Sequence, residues 1–182
     1  TQFAFYTPGQ IAEQIRATSD NIDGNPANAA YIHKLGKGRL NMYRALTESP
    51  KSVRMDSLFV TDHNDNAFVG NDTLDITVYL RNYLAALQNL TVTLSSNTPG
   101  VTVLNGTINP GFMNMLTSYS NTGSPFRVRI DPSVPFNTKV LFTIDYSDGS
   151  YADWQTFELV LNVDYINVLV NDVGTTITSR SR

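Results

Sequence analysis

Five oxygen-bearing side chains crowd one short stretch of the chain: Asp62, Asn64, Asp65, Asn66 and, a little further on, Asp72. Carboxylate and amide oxygens brought together in one loop are the hard ligands that calcium takes, and calcium is the ion this loop suggests. The same residue types also populate ordinary exposed turns, and the bidentate carboxylate that closes a strong calcium loop is not evident. The chain has two histidines, His33 and His63. Neither stands with the serine and aspartate motifs that a nucleophilic triad needs. Gly36-Lys37-Gly38 lacks the longer glycine-to-lysine spacing of a phosphate-cradling loop, so backbone geometry is the better reason for both glycines. Trp154 and the tyrosines Tyr79, Tyr83, Tyr119, Tyr146 and Tyr151 could form a platform for a sugar or a protein, although core filling and cross-strand packing are their ordinary use. Three Asn-x-Thr triplets, beginning at Asn71, Asn89 and Asn105, match the glycosylation pattern, which is too short to carry an argument.

The elements that must position these groups are mostly strands. In Thr73–Leu94 the apolar residues Leu74, Ile76, Val78 and Leu80 fall on every second position, and Leu90, Val92 and Leu94 repeat the pattern. Burying the first four is worth roughly 6–12 kcal/mol as an upper estimate, and a second layer must cover them. Further strands are predicted at Met55–Val60, Val101–Leu104, Phe126–Ile130, Val140–Tyr146 and Phe157–Val163, with Asp148-Gly149 at the tip of the last hairpin. The pattern predicts a mainly β chain built as an immunoglobulin-like antiparallel β-sandwich over 51–170. A short two-helix segment precedes it over 1–50, and 171–182 reads as a linker or the start of a following domain.

In the N-terminal piece, Thr7-Pro8-Gly9-Gln10 combines an N-cap, a proline at the first helical position and a capping box. The helix is predicted to run to about Ser19, with Ile11, Ile15 and Thr18, and Ala12 beside them, as one apolar stripe turned inward and Glu13, Gln14 and Arg16 outward. A second helix is predicted over Arg39–Leu46, seated through Leu40, Tyr43 and Leu46.

Composition narrows the function classes. An apolar fraction of 41%, a net charge of −3 and a pI near 5.2 describe a globular chain with no positive field for nucleic acid. Without cysteine there are no disulfides and no thiolate chemistry. No apolar run approaches the ~20 residues of a membrane span, and no signal peptide opens the sequence.

The first quarter of the chain resembles the C-terminal end of the catalytic domain of subtilisin-like serine proteases. Thr7, Pro8, Gln10, Ile11, Thr18, Asp20, Ile22 and Asp23 match that family's "T-P-x-Q-I" helix start and the turn after it. Gly36, Gly38, Arg39, Leu40, Asn41, Ala45 and Leu46 match its "G-x-G-R-L-N" turn and "A-L" ending. The family's nucleophile motif, "G-T-S-x-A-x-P", does not occur here, so no catalytic residue is carried over and no activity is expected of this chain itself. The remainder resembles the Ig-like, CARDB-type modules of bacterial exported proteins through Asp62–Asn66, Gly70, Leu74–Asn82, Asn89–Leu94, Pro99–Val103 and Phe157–Val163, with Gly70-Asn71-Asp72 in place of the usual Gly-Glu. These resemblances imply a non-catalytic portion of an exported serine endopeptidase, located outside the cell or at its surface. Its expected partners are the remainder of the catalytic domain and a protein substrate or cell-surface component, without a cofactor unless calcium binds. The other reading is a non-enzymatic adhesion or carbohydrate-binding sandwich.

Overall fold

The computed structural model describes residues 3, 5–32 and 34–164, together with the backbone of 166–172 and 175–181. Helix α1 (Pro8–Ala17) begins where expected. Thr7 Oγ1 accepts from Gln10 N–H, and Gln10 Oε1 accepts from Thr7 N–H at 3.0 Å, completing the capping box. It stops two residues early because Thr18 and Ser19 turn their hydroxyls back onto the carbonyls of Gln14 and Ile15. A 3-10 turn (Pro26–Tyr31) follows, then α2 (Met42–Thr47), which starts later than the expected Arg39. Arg39 is held instead in a two-way backbone bridge with Asp20, and Asn41 caps α2.

The strands are β1 (Val53–Thr61), β2 (Thr73–Asn82), β3 (Leu87–Ser96), β4 (Val101–Asn105), β5 (Thr107–Met113), β6 (Ser118–Ser120), β7 (Phe126–Ile130), β8 (Thr138–Asp148) and β9 (Tyr151–Leu161). They form two antiparallel sheets, one ordered β1-β2-β7-β4 with β6 paired to β2, the other ordered β5-β3-β8-β9. The mainly β sandwich with a short helical segment before it is therefore the architecture of the chain. Its strands end at Leu161, and β10 (Ile166–Asp172) pairs with β11 (Thr175–Ser181) in a separate two-stranded sheet that takes in most of the expected tail.

The alternation read in β2 is fully expressed. Leu74, Ile76, Val78 and Leu80 are buried in one cluster with Leu90, Val92 and Leu94 of β3, Phe126, Val128 and Ile130 of β7, and Val140, Phe142, Ile144 and Tyr146 of β8. Phe142 stacks on Phe157 of β9, with ring centroids 5.1 Å apart. Between β8 and β9 the connection is Gly149-Ser150, and Gly149 has φ 64°, a conformation that glycine adopts without strain. Asp148, expected at the tip of this hairpin, is instead paired with Tyr151 inside the ladder. Its buried carboxylate accepts from the amides of Gln88 and Asn89 and from Lys51 Nζ.

Among the described residues the helical segment contributes nothing to this cluster, which begins at Val53. Of the stripe expected on α1, Thr18 at its end is buried, but Ile11 is 47% exposed and Ile15 40%, and the helix side chains that face inward are Gln10 and Gln14, the second of them expected to look outward. The reason lies in what α1 meets. Gln10 Nε2 donates to the Tyr83 carbonyl at 3.1 Å, and Gln14 Nε2 donates to the carbonyls of Ala45 and Glu48 at the end of α2. Free carbonyls at a helix C-terminus need donors, which an isoleucine cannot supply. On α2 only Ala45 is buried, while Met42, Tyr43 and Leu46, and Leu40 just before the helix, lie open.

Candidate functional site

Where the helical segment meets the β8–β9 hairpin, an open groove of about 960 Å³ is lined by Arg16, Lys37, Lys51, Tyr151, Asp153 and Trp154 among others. Asp153 is its centre. One oxygen of this carboxylate receives Arg16 at 2.7 Å, and the other receives Lys37 Nζ and the amide of Trp154. Arg16 also binds Glu13 at 2.6 Å and Ser52 Oγ at 2.9 Å, and Ser52 donates to Glu13 at 2.5 Å. The Lys37 ammonium sits 4.4 Å from the centre of the Trp154 ring. Burial pushes the Asp153 carboxyl up, but Arg16 and then Lys37 outweigh it and leave it below the usual carboxylate range. Burial also lowers the Lys37 ammonium, with Asp153 opposing.

Beside the groove two phenols join the sheets. Tyr151 Oη accepts from Val53 N–H, and Tyr146 Oη accepts from Met55 N–H while Gln155 bonds both the amide and the carbonyl of Met55. Burial raises both phenols well above their ordinary value, so they remain neutral hydrogen-bonding groups. The two tyrosines at this end therefore tie sheet to sheet, while Trp154, under Lys37, serves the junction between the helical segment and the sandwich. Arg16, expected to look outward from α1, instead turns to Asp153, and no local pattern joins it or Lys37 to that residue; only their meeting across more than a hundred residues makes them a cluster.

The turn residues that resemble the protease family also meet. Asn41 Nδ2 donates to Asp20 Oδ1 at 2.9 Å, and Arg39 pairs with Asp20 Oδ2 at 3.0 Å. Gly38, at φ 105°, lies so close to the Asp20 carbonyl that a Cβ there would overlap it. Gly36, at φ 64°, faces open space. Both glycines therefore answer to backbone geometry, as expected.

The candidate calcium ligands fall in the loop between β1 and β2. Asp62 Oδ1 accepts from the amides of Asn64 and Asn66, Asp65 Oδ1 from Ala67, and Asp72 Oδ2 from Val69. Each of these acids closes a turn through a side-chain oxygen, and His63, Asn66 and Asn71 take up positive φ. Among the described residues no three His, Cys, Asp or Glu side chains cluster as an ion site.

His63 leaves this loop toward the sheet, where its Nε2 lies 2.9 Å from Asp75 Oδ2. Arg127 grips the same carboxylate through Nε at 2.8 Å and Nη2 at 3.0 Å. Arg127, and then His63, hold the Asp75 carboxyl below its ordinary range. A histidine on a buried aspartate is two parts of a hydrolytic triad, but the hydroxyl beside it, Thr61 Oγ1, accepts from the His63 backbone amide. Because Asp75 is shared with a guanidinium, the arrangement is a cross-strand ion cluster. His33 lies outside the described residues.

No family model matches the chain, and no curated protein matches it. Among solved structures it is similar to the crystal structure of a FixG-related protein from Vibrio parahaemolyticus, with 14% identity over 64% of this chain and 100% of that one. The TM-score is 0.41, too low for the likeness to carry an argument. Among the described residues no helix is long and apolar enough to cross a membrane.

Proposed function

We propose that this chain is the non-catalytic C-terminal portion of an exported subtilisin-like serine endopeptidase. Residues 1–50 are the last helices of the catalytic domain, and the sandwich is an accessory module that steadies that domain or sets it relative to a protein substrate or the cell surface. One observation carries the reading beyond the motif resemblance. The helical segment turns Gln10, Arg16 and Lys37 toward the sandwich and leaves Ile11, Ile15, Leu40, Met42, Tyr43 and Leu46 to solvent, Tyr43 at 77% exposure. So many large apolar side chains on so short a segment mark a surface made to be covered. The rest of a catalytic domain is the partner that the surrounding motif names, and each side chain buried there would contribute about 1.5–3 kcal/mol. The polar seam at Asp153 would make the sandwich a fixed extension of that domain.

The coding sequence upstream of Thr1 tests this. A Gly-Thr-Ser nucleophile motif within a few tens of codons, and labelling of the whole gene product by a serine-reactive fluorophosphonate, are the expected results. An upstream frame without that motif, or hydrolysis of peptides by the isolated 182-residue chain, ends the reading.

A further inference from the structure

The edge strands of the two sheets are β1 and β4 in one and β5 and β9 in the other. An edge strand presents unpaired amides and carbonyls, and it stays single only if something interrupts or covers them. Three of these edges are blunted. Pro110 removes an amide donor from β5, Gly111 sits at φ 71°, and the β3–β5 register shifts twice. β4 is five residues long, and its register with β7 shifts near its end. β1 bulges between Met55 and Ser57, and its amides at Val53 and Met55 are taken by Tyr151, Tyr146 and Gln155. β9 has none of these devices. It runs for 11 residues without proline or glycine, its register with β8 is unbroken from Tyr151 to Leu161, and among the described residues no other strand pairs with it.

Hydrogen bonds fix which side of β9 is open. The Trp154 amide donates to Asp153 Oδ1 at 2.7 Å and the Trp154 carbonyl accepts from Lys37 Nζ at 3.4 Å, so both groups point away from β8. Main-chain direction alternates along an antiparallel strand, and Thr156, Glu158 and Val160 therefore turn their amides and carbonyls to the same open side. All three residues are exposed. Phe157 and Leu159 point into the core yet remain half-buried, as the inward side chains of an uncovered edge do.

Unpaired main-chain groups beside alternating apolar side chains are matched by another extended strand. β9 is its own complement. Laid antiparallel on a second copy with Phe157 at the two-fold axis, Thr156 and Glu158 of each copy exchange main-chain hydrogen bonds with Glu158 and Thr156 of the other. Phe157 then meets Phe157, and Trp154 stands across from Val160. Aromatic pairs, and an aromatic against a β-branched residue, are favourable cross-strand combinations, and Glu158 falls opposite a threonine rather than a like charge. Glu158 is also paired already with Lys139 of β8 at 3.3 Å. We propose that two copies of this chain pair through β9 and join their four-stranded sheets into one continuous antiparallel sheet. This inference concerns the sandwich alone and does not rest on the protease reading, which the fluorophosphonate test addresses separately.

The test is the mass of the full 182-residue chain by light scattering at about 100 μM. The expected result is twice the 20.1 kDa of one chain. Thr156→Pro removes an amide from the open side, leaves the β8–β9 hydrogen bonds in place, and should return the chain to monomer. Thr156→Glu sets a carboxylate opposite Glu158 on both sides of the axis and should weaken dimerisation about tenfold, whereas Thr156→Lys, facing the same Glu158, should preserve or tighten it. Far-UV circular dichroism should be unchanged in all three. The proposal is overturned by a monomeric wild type at that concentration, by equal dimerisation of wild type, Thr156→Glu and Thr156→Lys, or by a dimer that Tyr43→Asp on the helical surface abolishes and the β9 variants keep. Should Thr156→Pro disturb the fold, the opposed effects of glutamate and lysine at the same position decide.

Discussion

The sandwich and the helical segment before it are held by different forces. Between the sheets lie aliphatic and aromatic side chains, from Val53 to Leu161, with polar groups kept to the margins. In the segment the buried side chains among the described residues are Gln10, Gln14, Thr18 and Ala45, and its attachment runs through Gln10 on a carbonyl and Arg16 and Lys37 on Asp153. Apolar burial is non-directional and largely indifferent to pH. A seam of charges and hydrogen bonds depends on each partner being present and ionised. The two regions should therefore open at different free energies, the segment first.

The largest expected effect falls on the sandwich. Phe142→Ala removes a fully buried ring stacked on Phe157 and should lower global stability by about 3–5 kcal/mol in denaturant titrations. A small loss would mean that the sheets are not the stabilising body. Calcium sharpens the same contrast at the loop of Asp62, Asn64, Asp65, Asn66 and Asp72. Saturation at about a hundredfold above the dissociation constant would add about 2.7 kcal/mol. A thermal shift of that size would bear out the calcium expectation, and an unchanged melt with and without chelator ends it.

Asp153→Asn leaves two cations facing a neutral amide and should cost about 1–3 kcal/mol, confined to the segment. Hydrogen exchange should then accelerate in α1 while β2, β3 and β8 keep their protection. Acceleration in all of them would show one cooperative unit and break the comparison. The pH dependence has a definite sign. Because the folded Asp153 carboxyl lies below its unfolded value, its contribution is complete above pH of about 4 and disappears as pH falls through the folded pKa. Protection of α1 should accordingly fade in acid before that of the strands. The smallest effect separates two glycines of one turn. Gly38→Ala should destabilise the segment by more than about 1 kcal/mol, since the new methyl meets the Asp20 carbonyl, while Gly36→Ala should cost about 1 kcal/mol from its positive φ alone. Equal losses on thermal melting would remove the clash as the cause.

Much of the sandwich is legible in a line of residues. β7 runs over Phe126–Ile130 as its alternation predicts, and β2 buries the four side chains that its pattern marks. β5 is not legible, because Asn109-Pro110-Gly111 reads as a turn and the bulged register puts Ile108 and Met113 inward at an irregular spacing. The stripe of α1 misleads for a different reason. Periodicity tells which residues share a face but not what lies opposite, and here the neighbours are carbonyls. Of the junction, nothing local marks Arg16, Lys37 and Asp153 as partners, and the same holds for His63, Asp75 and Arg127.

By itself the sequence determined β1 to β4 and β7 to β9, the inward face of β2, the start of α1 and the glycine turn, since propensity, alternation and capping act over a few neighbouring residues. Only the tertiary structure decided which face of α1 is buried, that Asp148 is a buried clip, and that Asp153 gathers two distant cations. Those outcomes depend on which groups the folded chain brings within hydrogen-bond reach, and that distance is not encoded in any local pattern.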